Sequence, residues 1–236
     1  MDPLALVVLA TAVAGSFLVS ATAGLGGSLI LVPTLVIALG PKEGVALAAL
    51  LLGGNNVFKV VAYRRAIPWR GVALVAISLG AGAWLGASLL VAAPAGAVAV
   101  AVLVALATSL LLERRSLVAL RKASGPTLAF AAGATSGFSG TSGPLKGVAL
   151  RNLGFDRFHL VGAASVVSLV GDATKAAVFV EASLLGPRAL TAAILAFPLM
   201  PLATFAGRWL NARLGEVGYA ALFWSVIAGY AVRLVV

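Results

Sequence analysis

The residues able to do chemistry here stand inside apolar runs. Asn55, Asn56 and Lys59 interrupt one hydrophobic stretch, and Asp172 and Lys175 interrupt another. Asn56-x-x-Lys59 and Asp172-x-x-Lys175 share one spacing, which puts each pair on a single helix face. A charge held at membrane depth costs a few kcal/mol or more, so such residues usually serve a purpose. Lysines and amides facing one another bind an anion, and a carboxylate among them carries a proton or orients a lysine. Lys59, near its helix end, has a second reading, in which its stem snorkels to the interface. Asp172 and Lys175 have another, in which they only neutralise each other. Lys146 either faces the same region or reaches toward Arg151.

The remaining polar candidates are small. Ala21-Thr22-Ala23-Gly24-Leu25-Gly26-Gly27-Ser28 recurs, 113 positions later, as Ala134-Thr135-Ser136-Gly137-Phe138-Ser139-Gly140-Thr141. Pro33 follows the first copy and Pro144 the second. Glycine admits unusual backbone angles and proline removes a donor, so each copy predicts a break in a helix. A break at membrane depth must be enclosed by protein or water, because lipid satisfies no bare amide or carbonyl. It also exposes helix N-termini, which attract anions. Gly24, Gly26, Gly27 and Ser28 at one tip, and Gly137, Ser139, Gly140, Thr141 and Ser142 at the other, are the predicted anion-binding residues. With 27 glycines in the chain, one such run is weak evidence, and it also suits close helix packing. Two matched runs point to a transporter's binding site.

Composition sets the class. The 236 residues are 61% hydrophobic and 10% charged, against about 25% charged in a soluble domain. The expectation is an all-α integral membrane protein in the plasma or inner membrane, its partners the lipid bilayer and a small anionic substrate. The net charge of +10 does not imply nucleic acid, since the basic residues fall in short loops between apolar runs, as in the positive-inside pattern. The absence of cysteine excludes thiolate metal sites and thiol catalysis. With a single histidine, His159, beside Arg157 at a helix start, no metal, cofactor or catalytic residue is expected. Met1-Asp2-Pro3 carries no basic n-region, so the first segment is not expected to be a cleaved signal.

The elements follow from length. The run 4–40 as one rod would measure roughly 55 Å, against a hydrocarbon core of about 30 Å. It must break near Gly24–Gly27, into limbs 4–20 and 29–39. Spans at 44–63, 72–91 and 95–112 follow, then a polar linker, 113–126. The second half repeats the plan: 127–150 with its own break, then spans at 158–180, 189–209 and 217–236. Lys59 and Lys175 lie 116 apart, close to the offset of the glycine-rich strings, as a duplication would leave them. If each glycine-rich segment enters and returns, Arg64, Arg65, Arg70, Arg114, Arg115, Arg121, Lys122, Arg151, Arg157, Arg208 and Arg213 share one side, with Lys42, Arg188 and Arg233 opposite. That asymmetry makes the first side cytoplasmic. Each half, 1–112 and 127–236, is then a re-entrant hairpin plus three spans, and the halves form inverted repeats. Trp69, Trp84, Trp209 and Trp224 read as interfacial anchors.

The Gly24-Leu25-Gly26-Gly27 break with Pro33, its second copy, and the Asn- and Asp-bearing helices after them resemble the TauE/SafE sulfite exporter family over essentially the whole chain. The resemblance implies transport of sulfite, an organosulfonate or another small sulfur-containing anion. It departs from the commoner all-glycine pattern at Ser139, Thr141 and Ser142. The expected activity is secondary transport by alternating access, driven by a proton or a sodium ion, with Asp172 as the coupling residue. An anion channel shares these features. A membrane-embedded enzyme is the less favoured alternative, since it would need a nucleophile, metal cluster or acid–base pair on facing helices, and one histidine, no cysteine and few intramembrane carboxylates supply that poorly.

Overall fold

The computed structural model describes residues 3–114 and 124–214. The predicted span 217–236, Trp224 and most of the linker 113–126 lie outside the described residues. Every regular element among those described is a helix.

The first apolar run breaks where glycine is densest. Helix α1 (Pro3–Ala23) stops at Gly24, and α2 (Gly27–Leu39) starts after Gly26. Gly24 has φ 75° and Gly26 φ 94°, left-handed angles that only glycine takes without strain. The break is shorter than the limbs 4–20 and 29–39 predict. Helix α2 then returns along α1, since the Ser16 hydroxyl donates to Gly27 O at 2.8 Å and Gly27 packs on Ser20. After Gly40 come α3 (Pro41–Tyr63), a 3-10 turn (Arg64–Ala66), α4 (Trp69–Ala92) and α5 (Ala95–Arg114).

The second half opens with α6 (Gly125–Ser139) and α7 (Gly143–Arg151), broken at Gly140 with φ 78°. Helix α8 (Arg157–Glu181) follows, then α9 (Pro187–Ala196) and α10 (Leu199–Arg213). These last two divide the run 189–209, expected as one span, into two helices. They meet at Phe197-Pro198 with a 45° bend, because Pro198 offers no N–H and its ring crowds the preceding turn. Phe197 lies edge-on to Phe58 of α3, ring centroids 5.8 Å apart.

Helices α3, α4 and α8 are each long and apolar enough to cross a membrane, and α9 with α10 would be a fourth only as a single bent span. Large apolar side chains face outward, among them Ile37, Leu74, Ile77, Ile194 and Leu202. The polar groups are inside: Asn55, Asn56, Lys59, Asp172 and Lys175 are all buried. That inversion is what a lipid solvent selects. Trp69, Trp84 and Trp209 are exposed.

Helices α3 and α8 pack against each other at the centre, where Gly53 of α3 touches Asp172 of α8. The first limb of each hairpin is clasped by a helix from the other half, α6 by α4 and α1 by α10. The α4–α6 contact is backbone on backbone. A Cβ at Gly82 or Gly86 would overlap Phe130 O or Ala134 O, and one at Gly133 or Gly137 would overlap Leu79 O or Ala83 O. These are facing Gly-x-x-x-Gly stripes, through which membrane helices approach closely. Gly133→Ala is therefore expected to destabilise the protein by about 3 kcal/mol, while Gly96→Ala, with nothing near its added carbon, leaves it unchanged. Equal melting temperatures for the two variants in detergent would contradict the close approach.

Candidate functional site

Both helix breaks are built alike. Gly24 N donates to Ser20 O at 2.9 Å and Gly140 N to Ser136 O at 2.8 Å. Gly24 rests on Val161 and Ala164 of α8, and Gly140 on Val32 of α2 and Val45 of α3. Each break is thus lodged against helices of the opposite half, and the two approach each other: Ser28 Oγ lies 3.1 Å from Thr141 Oγ1. The N-cap residues of α2 and α7, Gly26 and Ser142, make no side-chain cap bond.

The lysines turn inward to the same place. Lys59 is fully buried and does not snorkel. Its Nζ donates to Ser20 Oγ at 3.0 Å and lies 3.4 Å from Gly24 O, at the C-terminus of α1. Lys175, also buried, donates to Ser136 Oγ at 2.9 Å. Both lysines follow their serine partners by 39 residues. Lys175 also pairs with Asp172 Oδ1 at 2.6 Å, and Asp172 Oδ2 accepts from Asn56 Nδ2 at 2.8 Å. Asn56 and Asp172, matched by spacing in the sequence, touch each other directly across the α3–α8 contact. Lys146 is partly buried, and its Nζ donates to Ser168 Oγ at 2.9 Å, not toward Arg151. It lies within electrostatic reach of Lys59, Lys175 and Asp172.

A family model described as sulfite exporter TauE/SafE matches residues 7–234. The chain belongs to this family. Members of the TauE/SafE family are membrane exporters of sulfite and related anions, not enzymes. No curated protein and no solved structure matches the chain.

In this TauE/SafE protein the charges of the centre do not balance. Asp172 is taken by Lys175, and among the described residues no carboxylate pairs with Lys59 or Lys146. Their partners are hydroxyls and a carbonyl. Three lysines share one nearby carboxylate, Asp172, and that excess of positive charge suits a negative solute.

Not every predicted site residue faces this region. Asn55 turns to α10, where its Oδ1 accepts from Thr204 Oγ1 at 2.9 Å. Gly137 is not at the break; it lies in α6, against the backbone of α4. Gly27 packs inside its own hairpin. Ser139 Oγ bonds back to Thr135 O at 2.8 Å. Gly24, Ser28, Gly140, Thr141 and Ser142 remain at the breaks with Gly26. Sequence reasoning missed Ser20, Ser136 and Ser168. The first two had a signal, since Ser-x-x-x-Gly precedes both breaks at 20–24 and 136–140. It also missed the donors that close the end of α1, with Tyr63 Oη on Ala21 O at 2.9 Å and Asn211 Nδ2 on Thr22 O.

His159 stands outside this centre. Asp156 caps α8, accepting from His159 N at 3.0 Å, and meets His159 Nδ1 at 2.6 Å. Those hydrogen bonds hold the Asp156 carboxyl below its ordinary range. Among the described residues no group of His, Asp or Glu could hold a metal ion.

Proposed function

We propose that this protein is a secondary transporter of a small sulfur-containing anion such as sulfite or an organosulfonate. The anion sits between the two helix breaks, held by amides of α2 and α7, by Ser28, Thr141 and Ser142, and by Lys59 and Lys146. The observation that carries this reading is a buried lysine, Lys59, and a partly buried one, Lys146, with which no carboxylate pairs among the described residues. An anion supplies the missing charge, and the positive ends of α2 and α7 favour it.

Two inverted repeats, 1–112 and 127–236 joined by the linker 113–126, deliver these groups. The separation of Asn56 from Asp172, 116 residues, also separates Lys59 from Lys175, Ser20 from Ser136 and Gly24 from Gly140. One constant register through a break and a following helix supports a duplication. Alternating access is a rocking of one half on the other about the α3–α8 contact. Asp172, tied to Lys175 on its own helix and to Asn56 across that contact, is the residue placed to couple the motion to a proton or a sodium ion. The protein lies in the plasma or inner membrane with the side bearing Arg64 and Arg65 in the cytoplasm.

Purified protein tested against sulfite, thiosulfate, sulfate, sulfoacetate and taurine is expected to melt higher with at least one sulfur oxyanion. The gain is about 2.7 kcal/mol at a hundredfold excess over Kd. In proteoliposomes, flux of that ion saturates and shows counterflow. No stabilisation by any of the five, or unitary currents in place of counterflow, would sink the proposal. An Asp172→Asn protein whose transport keeps its pH dependence would remove Asp172 from coupling.

A further inference from the structure

A second basic cluster lies one helical turn beyond Lys59. Helix α3 ends at Tyr63, and the 3-10 turn carries Arg64 and Arg65. Together with Phe158, Phe205 and Arg208 these residues line a cavity of about 410 Å³. Among the described residues no carboxylate lines it. The Arg208 guanidinium sits over the Tyr63 ring, 6.0 Å from its centroid, and Phe158 belongs to the first turn of α8, whose N-terminus the Asp156 carboxylate already caps.

We propose that this cavity is a receiving site for a small oxoanion, bound with part of its water before it passes to Lys59. Among the described residues no carboxylate pairs with these three guanidiniums, and such a cluster beside apolar side chains concentrates an oxoanion at a membrane surface. The volume exceeds what one such ion needs, so the ion keeps some of its hydration. Tyr63 separates the cavity from the centre. It lies four residues after Lys59, on the same face of α3, and its hydroxyl holds Ala21 O at the end of α1. The cavity, Tyr63, the end of α1 and Lys59 thus form one continuous line of contacts into the protein.

The matching turn of the second half has a different composition. At the 116-residue register, Tyr63-Arg64-Arg65 corresponds to Phe179-Val180-Glu181, two apolar residues and a carboxylate. The two turns therefore differ in sign, and the arginine site serves one side only. The identity of the ion rests on the transport reading above; the existence of the site does not.

The test uses full-length protein in discs of neutral lipid, with Lys59→Met present to silence the centre, and sulfite and sulfate as calorimetric probes. One weak, salt-sensitive site is expected to remain. Its affinity falls at least tenfold in Arg64→Gln/Arg65→Gln, whose altered side chains are exposed, and again with Arg208→Gln. In proteoliposomes with Lys59 intact, the same arginine changes raise KM tenfold from the arginine-bearing side alone and leave kcat within twofold. Absence of the residual site, or a site indifferent to the arginines, overturns the proposal. So does a cavity that retains phosphatidylglycerol, seen by native mass spectrometry, and takes no free anion. Arginine-dependent binding without any transport would refute the central site and keep this one. Transport with KM unmoved from both sides would do the reverse.

Discussion

Methionine at position 59 is expected to abolish transport and to leave the protein as stable as before, or more so. Lys59 is buried completely, and its ammonium meets only Ser20 Oγ and Gly24 O. A buried charge without a counter-ion costs several kcal/mol, whereas hydrogen bonds from a charged group return about 1.5–3 kcal/mol. Methionine fills similar space without the charge, and its flexible chain adapts to what is left. Stability therefore holds or rises. Transport falls at least ~100-fold, which corresponds to about 2.7 kcal/mol of lost interaction with the anion. Such opposite movement of stability and activity is the mark of a group kept for function. Thermal melts and flux on the same preparation decide it. Normal flux would make the lysine structural. A collapsed fold would mean that its bond to Ser20 is what holds the first hairpin together.

The sequence makes the need for two helix breaks plain, because glycine and proline contradict a smooth rod of roughly 55 Å. It leaves the place of the second break ambiguous. The string Ala134-Thr135-Ser136-Gly137 copies Ala21-Thr22-Ala23-Gly24, yet α6 runs on to Ser139 and breaks at Gly140. Small residues serve two ends, close helix packing and backbone reversal, and composition does not separate them. Gly137 packs on α4 while Gly140 turns the chain. With the break at Gly140 the offset becomes the lysines' own, so one register replaces two.

The polar faces of α3 and α8 were legible from i,i+3 spacing. Their partners were not, since what Lys59 touches depends on how α1 crosses α3. Asn55 shows the same limit: it neighbours Asn56 in sequence but turns to Thr204. The bend at Pro198 was hidden in an apolar run long enough to satisfy a single span.

Asparagine at position 172 is expected to do the opposite of methionine at 59 and lower stability sharply. Asp172 is the counter-ion of Lys175, at 2.6 Å, and Lys175 is almost wholly buried. Breaking a buried pair from one side leaves an uncompensated charge and costs about 3–5 kcal/mol. Lys175→Met leaves Asp172 with Asn56 alone and costs a comparable amount. The double variant Asp172→Asn/Lys175→Met removes both charges and recovers most of the loss, so the cycle closes with a coupling of about 2 kcal/mol or more. The recovered protein separates the two duties of the pair. If it folds and still transports with wild-type pH dependence, the pair is only a tie between neighbouring turns of α8. If it folds and transports nothing, Asp172 is required for the cycle itself. Additive single effects would show that the two residues act independently, and the ion pair would then be no part of what holds α8 against α3 and α6.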